Sequence, residues 1–154
     1  MSSGPGDRQR LHDELVRYWE LVERHLAVAK EADLAQGRPA MAVVAVGLHH
    51  AYQAFESLLE KVEASLGLPA RAGGAWHEAI LDAAAHEIPD RRPAIIPSEA
   101  LLEWHAVRKF RHFFRHGSVA VEFEPRELAI VVGHLERAVT LSATSVRALL
   151  AALA

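Results

Sequence analysis

Hydrophobic residues recur every three or four positions along most of this chain, which is the spacing of amphipathic α-helices. The pattern predicts four long helices and one short one, over residues 7–36, 39–66, 75–87, 98–117 and 125–154. Glycine or proline stands at every predicted break, where these residues end one helix or begin the next. The sequence therefore predicts an all-α bundle. We expect residues 1–6 to be disordered and residues 7–154 to form one domain.

Two of the long helices carry apolar stripes that are regular enough to define their buried faces. In the second helix the stripe consists of Met41, Val44, Leu48, Ala51, Phe55, Leu58 and Val62. In the last helix it consists of Leu128, Val131, Leu135, Ala138, Ser142, Val146, Leu149 and Leu153. Residues 119–124 alternate apolar and charged side chains instead. Because a lone strand is not stable, we predict an extended loop there.

Composition narrows the class of protein. The 154 residues are 51% hydrophobic and 24% charged, as in ordinary globular domains. There is no cysteine, which excludes disulfides and thiolate metal sites and is compatible with a reducing cytoplasm. The longest apolar run, Ala40 to Leu48, is much shorter than the roughly 20 residues that span a bilayer. We therefore expect a soluble, cytoplasmic protein.

Positive charge is concentrated on the fourth predicted helix, although the whole chain has a net charge of −3. No acidic residue lies between Glu103 and Glu122. The same stretch contains His105, Arg108, Lys109, Arg111, His112, Arg115 and His116. At about 100° per residue, one side of this helix is apolar, with Leu102, Ala106, Phe110, Phe113 and Phe114. The arginines and histidines fall on the opposite arc.

A solvated surface is the simplest interpretation of such a basic arc. A helix that is merely soluble, however, usually interleaves acidic residues to gain i,i+4 ion pairs. The single sign of charge favours a surface that meets phosphate or an acidic partner. Nucleic-acid binding would then be local, since the acidic chain as a whole does not attract polyanions.

The residue types in this arc suit the cleavage of RNA without a metal. A guanidinium such as that of Arg111 can hold two phosphate oxygens and stabilise the charge that grows on them. An imidazole such as that of His116 can take a proton from the ribose 2′-hydroxyl or give one to the leaving oxygen. The reaction needs two proton-transfer groups. His112 is one candidate for the second group, and a symmetric dimer that brings two helices together is another source.

These residues also resemble a known family. The string RHFFRH, residues 111–116, fits the signature of the HEPN ribonucleases, which is an arginine, a polar residue, three variable residues and a histidine. VRKFRHFFRHGSVAVEFEPREL (107–128), LHHAYQAFE (48–56) and AWH (75–77) are similar to the corresponding parts of HepT-like toxins. The resemblance covers most of the chain from about Leu11.

The resemblance implies roles for individual residues. Arg111 and His116 would be the catalytic pair and His112 the polar position of the motif. The angular positions on the helix, and not the resemblance, make Arg108 and Arg115 flanking phosphate contacts. The resemblance further implies a homodimer, an RNA substrate, no cofactor and an antitoxin of the minimal nucleotidyltransferase type.

Such antitoxins can transfer AMP to a tyrosine two residues after the motif histidine. Here Ser118 stands at that position. Modification of Ser118, neutralisation by occlusion and loss of the toxin–antitoxin role are all open.

Other residues have both a functional and a structural interpretation. Tyr52 and Glu56 lie one helical turn apart, either as a core tyrosine and a solvated glutamate or as support for a motif arginine. Trp104 is either a core anchor or a platform for RNA bases. The pair His49 and His50 could suggest a metal, but no carboxylate ligand is close in sequence, and we predict no metal site.

Two alternatives to a ribonuclease fit the same basic arc. One is a non-catalytic HEPN-like module that binds nucleotide, RNA or protein. The other is a structural bundle that meets an acidic subunit.

Overall fold

The computed structural model describes residues 4–116 and 123–154, without the side chains of Arg115 and His116. Within these ranges the chain forms five α-helices and one 3-10 turn, which confirms the predicted all-α bundle. The helices are α1 (Pro5–Glu31), α2 (Arg38–Ser65), α3 (Trp76–Ala84), α4 (Ser98–His116) and α5 (Pro125–Leu153). The predicted loop over 119–124 falls mostly outside the described residues.

Two helices end earlier than predicted. After α1 the backbone is extended at Ala32, and the carboxylate of Asp33 accepts a hydrogen bond from the Ala35 N–H at 3.0 Å. This local bond favours the separate 3-10 turn Leu34–Gln36 over a longer helix. α3 is the second helix that ends early. The carbonyl of Ala84 accepts hydrogen bonds from the N–H groups of Ile95 and Ile96, so the connector between α3 and α4 caps the end of α3.

The core lies around α2, which packs against α1, α4 and α5 and buries residues along most of its length. The predicted stripe of α2 is buried except for the partly exposed Met41. Gly47 lets α1 approach closely, since a Cβ there would lie 3.3 Å from the carbonyl oxygen of His25. α3 is short and covers part of α4. No helix within the described ranges is long and apolar enough to cross a bilayer.

The predicted orientation of α4 is wrong in part, although Phe110 is buried and Phe114 packs against the core as predicted. Leu102 and Phe113, both assigned to the apolar side, are 80% and 63% exposed. The buried face instead follows Trp104, Val107 and Arg111, at the i, i+3, i+7 spacing of a helix.

The environment of Trp104 accounts for this rotation. Its ring stacks on Phe55 with 3.8 Å between centroids and 7° between planes. Its Nε1–H donates to Ser142 Oγ at 3.0 Å. Burying this large ring, with its one polar group satisfied, outweighs the burial of Leu102 and Phe113. The rotation also carries Arg111 into the interior, on the side where α2 and α3 meet α4.

Candidate functional site

Arg111 is a buried cation. Its residue surface is 6% exposed, and its guanidinium carbon lies 5.9 Å from the centre of the Tyr52 ring on α2. The aromatic face supplies a favourable cation–π contact. Yet the buried Nε–H has no hydrogen-bond partner in the part of the chain that the structure describes. Buried polar groups are normally satisfied, so the packing around this donor is incomplete.

Tyr52 and Glu56 form a buried polar cluster beside Arg111. The Tyr52 hydroxyl donates to Glu56 Oε2 at 2.8 Å. Burial and the adjacent Glu56 raise the pKa of Tyr52, so the hydroxyl keeps the proton that it donates to Glu56. No ion pair joins Glu56 to Arg111 within residues 4–116 and 123–154. Tyr52 therefore contacts the arginine directly, through its ring, while its hydroxyl holds Glu56.

The second partner of Glu56 is His77, at the start of α3. His77 Nδ1 lies 2.7 Å from the same Oε2 atom, and the Glu56 side chain is 4% exposed. The imidazole of His77 also stacks on Trp76, with 3.7 Å between ring centroids. One histidine is thus fixed by a buried carboxylate on one side and an indole on the other.

Two neighbouring cavities share Arg111 and His77 in their walls. The larger, about 480 Å³, is lined by Gln53, Glu56, Ser57, Glu60, Trp76, His77 and Arg111. The smaller, about 180 Å³, is lined by Gly74, Ala75, His77, Glu78, Arg108, Arg111 and His112. Arg111 and His77 therefore form a partition that a single extended ligand could contact from both sides.

The two cavities differ in charge. The larger has two carboxylates in its wall, and burial together with the neighbouring Glu56 raises the pKa of Glu60. The smaller has two arginines and His112 against one exposed carboxylate, Glu78. An anionic group is favoured in the smaller cavity, because the like charges of the larger one would repel it.

Arg108 is held in the wall of the smaller cavity by a chain of hydrogen bonds. Its Nε–H donates to His105 Nδ1 at 3.1 Å, and His105 Nε2 lies 2.7 Å from an Asp82 carboxylate oxygen on α3. A neutral imidazole with its proton on Nε2 satisfies both contacts. α3 therefore covers part of the arc that the sequence placed opposite the core, and the arc is not uniformly solvated.

The remaining predicted site residues divide into two groups. His112 is exposed and lines the smaller cavity next to Arg111 and Arg108. Arg115 and His116 belong to the last turn of α4, but their side chains lie outside the described part of the structure. Ser118 also lies outside the described residues. Trp104, the alternative base-stacking residue, is fully buried in the core and cannot stack on RNA there.

The adjacent histidines that raised the question of a metal, His49 and His50, contact aromatic rings. The His49 ring lies 5.3 Å from that of Phe114, and the His50 ring 5.2 Å from that of His25. In the described ranges, no three histidine, aspartate or glutamate side chains converge as metal ligands.

His77 is the site residue that sequence reasoning missed. Only its position in the AWH string was noted, because a histidine at the start of a short helix carries no local sign of function. A carboxylate 21 positions earlier on another helix gives it a fixed orientation. No spacing rule predicts that contact.

Together the fold and the site define a small all-helical protein with a buried arginine and a carboxylate-held histidine at paired cavities. The HepT-like protein family matches this chain over residues 43–153, and the chain belongs to that family of HEPN-type domains. The family as a whole is associated with ribonuclease toxins. No curated protein and no solved structure is significantly similar to the chain.

Proposed function

We propose that this protein is a metal-independent endoribonuclease and the toxin of a toxin–antitoxin pair. Arg111 binds and stabilises the scissile phosphate, and His116 of the same motif transfers a proton. The attacking group is the 2′-hydroxyl of the RNA itself. Cleavage then leaves a 2′,3′-cyclic phosphate on one fragment and a 5′-hydroxyl on the other.

The observation that carries this proposal is the buried side chain of Arg111, which has an unsatisfied Nε–H and lines two cavities. A buried cation without a carboxylate partner destabilises a fold unless an anion binds to it. The neighbouring Arg108, which is fixed through His105, brings a second guanidinium to the same cavity. Two oriented guanidinium groups can bind the non-bridging oxygens of one phosphodiester and stabilise their growing charge.

Family membership supports a wider arrangement in which two copies form the RNA cleft. In a symmetric dimer each α4 would face its counterpart across the two-fold axis, which doubles the number of motif histidines at the cleft. The exposed Leu102 and Phe113 give α4 apolar surface outside the monomer core that such an interface could bury.

The antitoxin that we propose is a minimal nucleotidyltransferase. Because Ser118 replaces the tyrosine that such enzymes modify, we propose that the antitoxin acts by covering the cleft or by modifying Ser118. Mass spectrometry of the toxin after incubation with ATP and the antitoxin distinguishes these two routes.

The direct test is RNA cleavage in EDTA by the full chain. We expect fragments with 2′,3′-cyclic phosphate ends from the wild type and no cleavage of the matching DNA. Arg111→Ala should reduce the rate by roughly 10²–10³-fold, as for the loss of one preorganised donor to a developing oxyanion. Arg111→Lys keeps the charge but loses the planar fork, and should restore only part of the rate. Arg17→Ala, which removes an exposed arginine of α1, is the matched control.

Intact RNA after incubation of a folded wild-type dimer with many RNA sequences would overturn the nuclease proposal. Salt-sensitive binding without cleavage would instead support the non-catalytic module. The toxin role is tested by growth after induction of the wild type and of His116→Ala. Equal growth of both strains would contradict that role.

A further inference from the structure

We propose that His77 is the general base of this ribonuclease and that Glu56 holds it in the reactive tautomer. The inference rests on the proposed function, because it assigns a residue to the same reaction. It changes the origin of the second proton-transfer group. That group comes from α3 of the same chain as Arg111, and not from His112 or from the second copy of α4.

The contact with Glu56 fixes the tautomer of His77. A carboxylate oxygen only accepts hydrogen bonds, so the 2.7 Å contact places the Nδ1 proton of His77 on the side of Glu56. The neutral ring then carries its free electron pair on Nε2, which is the form that can take a proton. Glu56 also stabilises the imidazolium that results, as a buried carboxylate does for a catalytic histidine.

The orientation of Glu56 is itself fixed. Its Oε2 atom accepts from Tyr52 as well as contacting His77, and its side chain is almost completely buried. Trp76 restricts the His77 ring from another side. A histidine that is held by Glu56 and Trp76 in the ground state needs little reorganisation during the reaction.

His77 is also placed where a substrate bound at Arg111 would lie. His77 and Arg111 are the two residues that line both cavities at this site. The side chain of His77 is 26% exposed, so a substrate can reach it, and Arg111 lines the same two cavities. His112 lines only the smaller cavity.

In the proposed cleavage, His77, His116 and Arg111 account for every proton transfer and for the charge on the phosphate. His77 Nε2 takes the proton of the 2′-hydroxyl as the O2′–phosphorus bond forms. The bond between phosphorus and the 5′-oxygen breaks, and His116 donates a proton to that leaving oxygen. Arg111 stabilises the charge on the non-bridging oxygens throughout. No oxidant, metal or further reactant is required.

The closing experiment uses two variants of the full-length chain. His77→Ala removes the ring, whereas His77→Asn keeps a side-chain N–H that can donate to Glu56. If His77 were merely structural, asparagine would restore activity. As a general base, its loss should reduce kcat by roughly 10²–10⁴-fold in both variants. His86→Ala, which removes an exposed histidine just beyond α3, is the control and should cleave like the wild type.

A substrate with a sulfur in place of the leaving 5′-oxygen separates base from acid. Sulfur leaves without protonation, so this substrate should restore the rate of His116→Ala. It should not restore the rate of His77→Asn, because the 2′-hydroxyl must still lose its proton. Restoration of His77→Asn by the sulfur substrate would overturn the assignment of His77 as the base.

The outcomes distinguish the two proposals. If the wild type does not cleave RNA, the proposed function is wrong and this inference fails with it. If the wild type cleaves and both His77 variants stay within about twofold of its rate, the nuclease survives and the assignment of His77 is overturned. Circular dichroism and thermal unfolding of each variant show that a loss of activity is not a loss of fold.

Discussion

The buried face of α4 meets α2 in two very different ways. At Trp104 the contact is closed, with a stacked Phe55 ring and an indole N–H that is bonded to Ser142. Two helical turns later, at Arg111, the contact is polar and incomplete. The guanidinium lies over Tyr52 with an unsatisfied donor, and cavities adjoin it on two sides.

The difference shows how one helix face serves both stability and chemistry. At Trp104 the one polar group of the ring has a partner, and the ring is fully buried. Around Arg111 the fold tolerates a buried cation whose hydrogen bonds are not all made. The first contact fixes the rotation of α4, and the second contact uses that rotation to present the arginine to a ligand.

The largest effect on stability is expected at Trp104. Trp104→Ala should lower the free energy of unfolding by about 3–5 kcal/mol, because it removes a large buried ring and leaves a cavity. Urea unfolding followed by circular dichroism measures this change. A loss below about 1 kcal/mol would mean that Trp104 does not fix the rotation of α4.

Ser142→Ala is a smaller change at the same contact, next to Trp104. It leaves the buried Nε1–H of Trp104 without a partner, which should cost roughly 1–3 kcal/mol. The same urea experiment applies, with the exposed Thr144→Ala on α5 as the control. If the two variants proved equally stable, the bond between Trp104 and Ser142 would contribute nothing measurable.

At Arg111 we expect a substitution to raise the free energy of unfolding and not to lower it. Arg111→Met keeps a long side chain over Tyr52 but removes the unsatisfied buried cation. The free energy of unfolding should rise by roughly 1 kcal/mol, the lower end of the cost of an unsatisfied buried polar group. RNA cleavage should be lost in the same variant. Clear destabilisation would show that Arg111 supports the fold, and the contrast between the two contacts would fail.

The smallest effect is expected at a partly exposed contact between α4 and α5. Glu103 lies 2.5 Å from His134 Nδ1 and accepts from Arg137 Nε at 3.1 Å, and these two contacts lower the pKa of Glu103. A lowered carboxyl pKa stabilises the fold above the unfolded value of about 4.3, and this contribution is lost as the pH falls through the folded value.

Glu103→Gln should therefore cost up to about 1 kcal/mol at neutral pH, and less as the pH falls through the folded pKa. Thermal unfolding at several pH values tests this, with the exposed Glu23→Gln of α1 as the control. A penalty that is independent of pH would exclude the charge of Glu103 as its cause.

The sequence predicted the helices better than their orientations. The start of α5 at Pro125 and the buried stripe of α2 follow from proline geometry and from a regular apolar repeat. On α4 the same reasoning failed, because apolar residues surround the helix. Counting hydrophobic positions favoured Leu102 and Phe113, whereas the stacking partner of Trp104 lies on α2 and is invisible in the local pattern.

The residues of the candidate site were also predicted only in part. Arg111 and its neighbours were found from the run of basic residues, and Tyr52 and Glu56 from their one-turn spacing. The burial of Arg111 was not predicted, because a charged residue on a polar arc is normally expected at the surface. His77 and the cavities depend on α3 lying across α4, which no periodicity describes.

By itself the sequence determined the class of fold, the family and the motif, because periodic burial, helix-ending residues and RHFFRH are local properties of the chain. Only the tertiary structure decided which side of α4 is buried and which histidine lines the same cavities as Arg111. Those outcomes depend on contacts between residues far apart in sequence, such as Trp104 with Phe55 and Glu56 with His77. Their free energies are set by packing and desolvation, which arise only when the helices come together.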